Sequence, residues 1–544
     1  MPTSSLRSTL LCCAAGLPLA AQTRIMTLQG VFPDGQLGSA LAPAGDVDRD
    51  GFGDIIGSAM FASTNAPVSG WAAVYSGRTG APLLVFPGRA PGQYFGGGAA
   101  GLGDLDGDGH ADFAIAATND ETAGDHAGRV WVYSGRTGRV LYDLVAEGPG
   151  DIFGHSIAAA GDVDADGVPD FVVGAPENGS PVLHYGAGYV KVFSGRTGAV
   201  LHRFAGRAVG YEQGHVVCGV GDLDRDGHDD VLAASVLDGD PSVGIGAARV
   251  HSGRTGEVLF TFRGGPRTDH FAVSAAGVGD VDGDGWPDVG VGCVELTNGI
   301  PGHASIFSGR TGARIHQVFG QAPMEMFSVS MCGVGDLDRD GHADFAVSAP
   351  GAGGGYGQVR VYSGRDASLM RVFDGPDLGS AFAFAMAATD LNNDGYADLV
   401  IGSRGAVGNR GRIYVMSGTN ATALGSGCAD YAPPPTLSAT SPRVGGTWSH
   451  FVRGAAPSTP TALLIAQVPA SPLQFDRACV FYLDPATTLG LGILQTDSSG
   501  SAVHQVTLPP AASLVGAQLA TQAAMPGRTR PWTLTNGVAA TIER

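Results

Sequence analysis

The chain has 544 residues with 87 glycines, 8% aromatic and 15% charged residues, and a formal net charge of −19; this length allows more than one domain, and the composition points to a turn-rich β protein rather than a helical one. Repeated aspartate stretches hold 27 of the 51 acidic residues, which leaves 24 acids against 32 bases elsewhere. The acidity is therefore local, and the remaining bases form no basic run, which argues against a nucleic-acid partner.

Residues 1–21 read as a secretory signal peptide: Arg7 is the lone positive residue, and Leu10 to Ala21 is apolar. Cleavage near Ala20 or Ala21 removes Cys12 and Cys13, and Thr9-Leu10-Leu11 lacks the small residue of a lipid-anchor signal. A short buried helix is the alternative. No later stretch reaches the ~18 apolar residues of a transmembrane helix. The expected location is secreted, at the cell surface or in the periplasm.

Residues 22–425 repeat one unit seven times. The pattern Asp-x-Asp-x-Asp-Gly-x-x-Asp starts at Asp46, Asp104, Asp162, Asp222, Asp280, Asp336 and Asp390, with Asn392 as its one exception. Such spacing makes a repeat architecture the first reading. In the third unit Phe153-Gly154-His155 leads through an apolar run into the motif. Phe171 to Pro176 leaves it, Gly188 to Phe193 alternates, and Ser194-Gly195-Arg196-Thr197-Gly198 turns into Val200 to Phe204. These are short strands separated by glycine-rich turns. The Ser-Gly-Arg-Thr-Gly turn recurs from Ser76, Ser134, Ser252 and Ser308 and degrades from Ser363 and Ser417; its glycines are expected at positive-φ positions.

Four antiparallel strands per unit, seven times over, predict an all-β, seven-bladed β-propeller, with an open solenoid as the alternative. Arg24 to Leu28 precedes the first motif as an unpaired strand and is expected to complete the seventh blade from outside, near residues 412–424. Cys218, Cys293 and Cys332 fall where other copies have alanine and read as buried packing thiols. After Gly427-Cys428 the motif stops. Residues 426–544 are expected to form a separate β-sandwich-like domain, with strands at Ala462–Val468, Cys479–Leu483 and Ala502–Leu508 and a hairpin turn at Asn536-Gly537. Cys428 and Cys479 could pair in an oxidising compartment.

Three carboxylates at alternate positions, a glycine and a fourth carboxylate can wrap one hard cation, and Ca²⁺ fits better than Mg²⁺ or Zn²⁺. In the first copy the expected ligands are Asp46, Asp48, Asp50, the carbonyl of Phe52, and Asp54. The others are Asp104, Asp106, Asp108, His110 and Asp112; Asp162, Asp164, Asp166, Val168 and Asp170; Asp222, Asp224, Asp226, His228 and Asp230. The last three are Asp280, Asp282, Asp284, Trp286 and Asp288; Asp336, Asp338, Asp340, His342 and Asp344; Asp390, Asn392, Asp394, Tyr396 and Asp398. The seventh residue lends its carbonyl, and the side chains of His110, His228 and His342 are expected to point outward. A solvated Asp-Gly turn is the bland alternative. Unneutralised carboxylates this close repel, which argues against it. An EF-hand is rejected, because position twelve is not glutamate and the flanks are strands.

The combination of Phe95-Gly96, Phe153-Gly154, Gly174-Ala175-Pro176 and the aspartate loop resembles the FG-GAP repeat of the integrin α-subunit propeller and its bacterial relatives. The resemblance spans about residues 24–424; Leu37, Gln213 and Ala381 replace the phenylalanine. It implies a Ca²⁺ between the first two strands of each blade, up to seven in all, weakest at the Asn392 site. The C-terminal segment loosely resembles a tail of secreted planctomycete-type proteins.

Meander topology puts the aspartate loops on one face with the Ser-Gly-Arg-Thr-Gly turns. There Arg78, Arg136, Arg196, Arg254, Arg310 and Arg365 form a ring expected to pair with carboxylates, an anion-binding ring being the alternative. The opposite face carries the variable loops, where Asn119, Asp120, Asn178, His184, Tyr185 and Asp238 are candidate ligand contacts. No catalytic motif stands out. The expected function is a binding or adhesion module for extracellular protein or glycan. The alternatives are a polysaccharide-active enzyme with its site in the propeller channel, and a structural surface component attached through the C-terminal domain.

Overall fold

The computed structural model describes residues 24–418, except 178–185, 241–243, 266–269 and 296–298, and the backbone of ten strands between Thr422 and Thr541. The signal segment and Cys428 lie outside the described residues, as do Asn178, His184 and Tyr185. Seven four-stranded antiparallel sheets follow one another along the chain. In the third, Ser156–Gly161, Asp170–Ala175, Tyr189–Phe193 and Val200–Ala205 run from the inside outward. Each innermost strand touches that of the next blade, and Leu41–Gly45 of the first meets Phe382–Thr389 of the seventh. The ring is therefore closed, and the open solenoid is excluded.

Closure depends on the N-terminal strand. Arg24–Gln29 is the outermost strand of the seventh sheet, antiparallel to Arg412–Met416, with Leu28 opposite Ile413. The expected outer staple is thus present. A sheet whose last strand comes from the other chain end cannot open without breaking that ladder, so both termini of the repeat region are held in one blade.

Strand composition follows position in the ring. Second strands such as Asp112–Ala117 and Asp170–Ala175 are buried along their whole length, and they read as unbroken apolar runs because blades cover both faces. Outer strands such as Val140–Val145 alternate between exposed and half-buried residues. Inner strands carry glycine where neighbours crowd: a Cβ at Gly101 would lie 2.2 Å from the carbonyl oxygen of Pro43 in the preceding blade.

The Ser-Gly-Arg-Thr-Gly turn uses its two glycines differently. Gly198 has φ +69° and donates to Ser194 O at 2.8 Å, as expected of a tight turn. Gly195 is required by space instead, since a Cβ there would lie 1.8 Å from Pro169 O at the end of the aspartate loop. The first glycine therefore lets this turn pack on the loop.

Beyond residue 418 one sheet has five strands, in the order Thr422–Gly425, Thr533–Thr541, Gln518–Met525, Pro460–Gln467 and Leu489–Gln495. A second has three, Thr436–Ala439, Thr447–Arg453 and Ala502–Thr507, and Leu473–Asp476 pairs with Cys479–Phe481. Asn536-Gly537 is not the expected hairpin turn. The strand Thr533–Thr541 runs through it, and its register against Gln518–Met525 shifts between Gln522 and Ala524. The extra residue is absorbed as a bulge, because both flanks pair with the same neighbour.

Leu28 is 8% exposed and packs with Leu37, Ile55, Ile413 and Val415 across the closure. Leu28→Ala is expected to cost about 3 kcal/mol, as for other buried leucines. Urea unfolding followed by circular dichroism measures this; a loss under about 1 kcal/mol would show that the outer strand is not needed for ring stability.

Candidate metal centres

Each aspartate loop connects the first and second strands of a blade, and its own carboxylates fold it. In the first blade Asp46 accepts from Asp50 N and Gly51 N, each at 3.0 Å; Asp48 accepts from Asp50 N at 3.2 Å, and Asp50 from Phe52 N at 3.0 Å. The fourth residue takes the left-handed conformation, with φ +60° at Arg49, +59° at Arg225 and Arg339, and +55° at Asn393. Short acidic side chains that bond to backbone amides two to five residues ahead favour this tight winding over a strand.

The ninth residue is different. Asp54, Asp112, Asp170, Asp230, Asp288, Asp344 and Asp398 are fully buried. One oxygen of each accepts from the amide of the second motif residue, as in Val47 N to Asp54 Oδ2 at 2.8 Å. The other accepts from the first glycine of the Ser-Gly-Arg-Thr-Gly turn, as in Gly77 N to Asp54 Oδ1 at 3.0 Å. The same pair of bonds recurs in the other six blades, through Leu105 and Gly135, Val163 and Gly195, Leu223 and Gly253, Val281 and Gly309, Leu337 and Gly364, and Leu391 and Gly418. One carboxylate thus fastens the two turns at that end of every blade.

Burial pushes these groups up despite the amide bonds. The carboxyls of Asp54, Asp112, Asp170, Asp230 and Asp288 are raised to about 6 and that of Asp344 to about 7, in each case first by desolvation. Neighbouring motif aspartates push in the same direction. Asp398 is raised well above its ordinary value, again first by burial.

The carboxylates expected to act together do converge. The side chains of Asp46, Asp48 and Asp50 each offer an oxygen within 4.8 Å of the others, as do those of Asp104, Asp106 and Asp108, and of Asp222, Asp224 and Asp226. In the third blade the set is Asp162, Asp164 and the buried Asp170. These groups could hold a metal ion, and an all-oxygen donor set suits a hard divalent cation. The seventh loop provides a separate indication of fit. Asn392 donates to Asp398 Oδ1 at 3.3 Å, while its own Oδ1 is buried with no hydrogen-bond partner. A buried amide oxygen without a donor is costly unless a cation or water satisfies it.

The surrounding cations are placed to balance charge. Arg196 Nε donates to Asp166 Oδ2 at 2.6 Å and lowers that carboxyl, while Arg78 and Arg310 approach Asp50 and Asp284 at 3.9 and 3.8 Å. The expected pairing thus holds for three of the six turn arginines.

Neighbouring loops are also tied to each other, which the sequence did not suggest. His110, His228 and His342 do not point outward: their Nδ1 atoms donate to Val47 O, Val163 O and Val281 O of the preceding blade at 2.7, 2.8 and 2.8 Å. Fourth-position side chains reach the following blade. Arg225 lies over the Trp286 ring and donates to Gly285 O at 2.8 Å, Arg339 lies over Tyr396, and Asn393 donates to Gly51 O at 2.8 Å, spanning the ring closure. A clue exists in the sequence: the three histidines occur in alternate copies, each following a copy with valine at the second position.

On the opposite face, the candidate ligand contacts among the described residues make bonds within the protein itself. Asn119 donates to Gly92 O at 2.6 Å, Asp120 accepts from Gln93 Nε2 at 2.7 Å and Thr122 N at 2.9 Å, and buried Asp238 is bonded to Arg249. These bonds brace the loops, while Asn119 Oδ1 is buried with no hydrogen-bond partner.

The family profile described as FG-GAP repeat matches residues 96–133, 153–193, 332–363 and 382–416. Human integrin alpha-IIb is 35% identical over 167 residues, 27% of this chain and 16% of that protein. Integrin alpha-5 of Xenopus laevis is 31% identical over 238 residues, 39% and 21% of the two chains, and integrin alpha-V of Gallus gallus 29% over 207 residues, 34% and 19%. These alignments span about a fifth or less of the relatives' length. The solved Dos1 propeller superposes with a TM-score of 0.40 at 10% identity, over 73% of this chain and 96% of that one. The chain carries FG-GAP repeats on a seven-bladed β-propeller and resembles the integrin alpha subunits, an architecture consistent with a binding or adhesion module.

The raised carboxyls fix the sign of a pH effect. Between about pH 4 and pH 6 to 7 these seven aspartates retain, in the folded metal-free protein, protons that the unfolded chain has released, so they lower stability as pH rises through that window. They outnumber the lowered His155 and His303, which act in the opposite sense. A bound divalent cation holds the carboxylates ionised and binds more tightly as pH rises. Melting temperature with a chelator is therefore expected to drop from pH 5 to pH 7.5, and the drop should vanish in excess divalent cation. A chelated protein whose melting temperature is flat or rises over this range would contradict the assignment.

Proposed function

We propose that the protein is a secreted, Ca²⁺-loaded FG-GAP propeller that binds an extracellular protein or glycan through the face opposite its aspartate loops. The carrying observation is the division of labour between the two rims. All seven acidic loops lie at one end with the Ser-Gly-Arg-Thr-Gly turns, bonded within and between blades. The connections of varying length gather at the other end, on a scaffold that the first rim holds rigid. In each loop the first, third, fifth and ninth side chains and the seventh carbonyl would hold the ion, with Ca²⁺ favoured by the oxygen donors and flexible geometry. The ninth carboxylate can do so while keeping its amide bonds, because each oxygen has a second lone pair. Residues 1–21 would direct export, residues 22–425 would form the binding unit, and residues 426–544 would attach it to a surface.

A second reading, a polysaccharide-active enzyme with its site in the channel, draws on one observation. The rings of His155 and His215 meet at 4.9 Å, tilted by 50°, on the inner wall of adjacent blades, and Glu212 lies 3.4 Å from His215. Desolvation in the crowded channel lowers His155 to about 4 although its ring is exposed, so His155 itself is a neutral imidazole rather than a ready acid at physiological pH.

Incubating the purified protein, with Ca²⁺, on an array of glycans and extracellular-matrix proteins while assaying for new reducing or unsaturated sugar ends separates the two. Saturable binding without product release, lost in chelator, is expected. Sugar-end release that is abolished by His155→Ala would replace the binding reading with the enzymatic one.

A further inference from the structure

Cys293, Glu295 and His303 form a second kind of ligand cluster, away from the aspartate loops. Cys293 ends the second strand of the fifth blade, Asp288–Cys293, and His303 begins the third, His303–Phe307; the two residues are directly opposed in the antiparallel ladder. Glu295 lies two residues past Cys293, at the spacing that returns to the same side of an extended chain. The three side chains offer a sulfur, a carboxylate oxygen and an imidazole nitrogen within 4.8 Å of one another, and Cys293 Sγ is 3.4 Å from Glu295 Oε1. At normal zinc–ligand lengths, two tetrahedral ligands of these types lie about 3.5 Å apart.

We infer that this cluster is a binding site for a borderline-soft divalent cation such as Zn²⁺, with Cys293, Glu295 and His303 as its protein ligands. The three residues are buried, at 0%, 3% and 9% exposure. A thiolate, a carboxylate and a neutral imidazole together cancel the charge of a divalent ion, so the loaded site is neutral, as a buried site should be. The sulfur and nitrogen donors distinguish this site from the all-oxygen loops, so Ca²⁺ is a poor competitor here. Other blades lack the set. The pairs opposed at the same register in the second, third, fourth, sixth and seventh blades are Ala117 with Arg129, Ala175 with Tyr189, Ser235 with Ala247, Ala349 with Gln358 and Ser403 with Arg412. Cys293 therefore has a role beyond the packing thiol that its alanine counterparts suggest. Three protein ligands leave the fourth position for water or an incoming group.

The test uses the full chain, reduced, freed of metal and then saturated with Ca²⁺, and titrated with Co²⁺ as a spectroscopic stand-in for Zn²⁺. A thiolate-to-cobalt charge-transfer band should rise to saturation at a single equivalent and be displaced by Zn²⁺. Cys293→Ala, which installs the residue of the second, third and sixth blades, should abolish the band, whereas Cys218→Ala and Cys332→Ala should retain it. His303→Gln should weaken Zn²⁺ binding at least tenfold without changing the melting temperature of the Ca²⁺-loaded, zinc-free protein. A wild-type protein that shows no band, or a band that survives Cys293→Ala, would overturn the assignment. Both results are independent of whether the propeller binds a glycan or a protein.

Discussion

The ninth aspartate of each repeat carries the structure. A buried carboxylate that accepts one amide from its own loop and one from the turn between the third and fourth strands makes two separate loops into one rigid corner. Charge-assisted bonds to backbone amides are strong in a low-dielectric site, but an ionised carboxylate there is expensive. The carboxyls of Asp54 and Asp344 are raised by that burial. Three more carboxylates within the same nine residues add repulsion. A cation shared among them would resolve both problems, at the corner where the blade must be stiff.

The corners then support one another. The histidines at 110, 228 and 342 and the side chains of Arg225, Arg339 and Asn393 bridge successive loops, and the Arg24–Gln29 strand closes the seventh blade from the other chain end. With one rim fixed in this way, the other can vary its connections without loss of the ring. The Cys293 cluster sits on such a variable connection, where a single blade has departed from the common pattern.

Much of this was legible in the sequence because repetition multiplies weak signals. One Asp-Gly turn says little, whereas seven at near-constant spacing established the blades, the loop positions and the stapled terminus. What was not legible depends on contacts between units. His110 looked like an outward side chain, since nothing in its own repeat shows that Val47 O of the neighbouring blade lies in reach. That Asn119, Asp120 and Asp238 brace their own loops was not legible, because polar residues that brace a loop have the same composition as those that bind. Asn536-Gly537 carried a strong local turn signal, and the shared partner strand overrode it. Cys293 matched an alanine position, and only the register that opposes it to His303 exposed the cluster.

The acidic loops, as the proposed cation sites, would hold the ring together. Equilibrium dialysis of the metal-free protein against Ca²⁺, with melting temperature measured at each point, tests that most directly. Binding of several ions per chain, up to seven, with a melting temperature that climbs as the sites fill is the predicted result, because ligands that bind only the folded state stabilise it by mass action. A protein that takes up no Ca²⁺, or takes it up with no change in melting temperature, would contradict it.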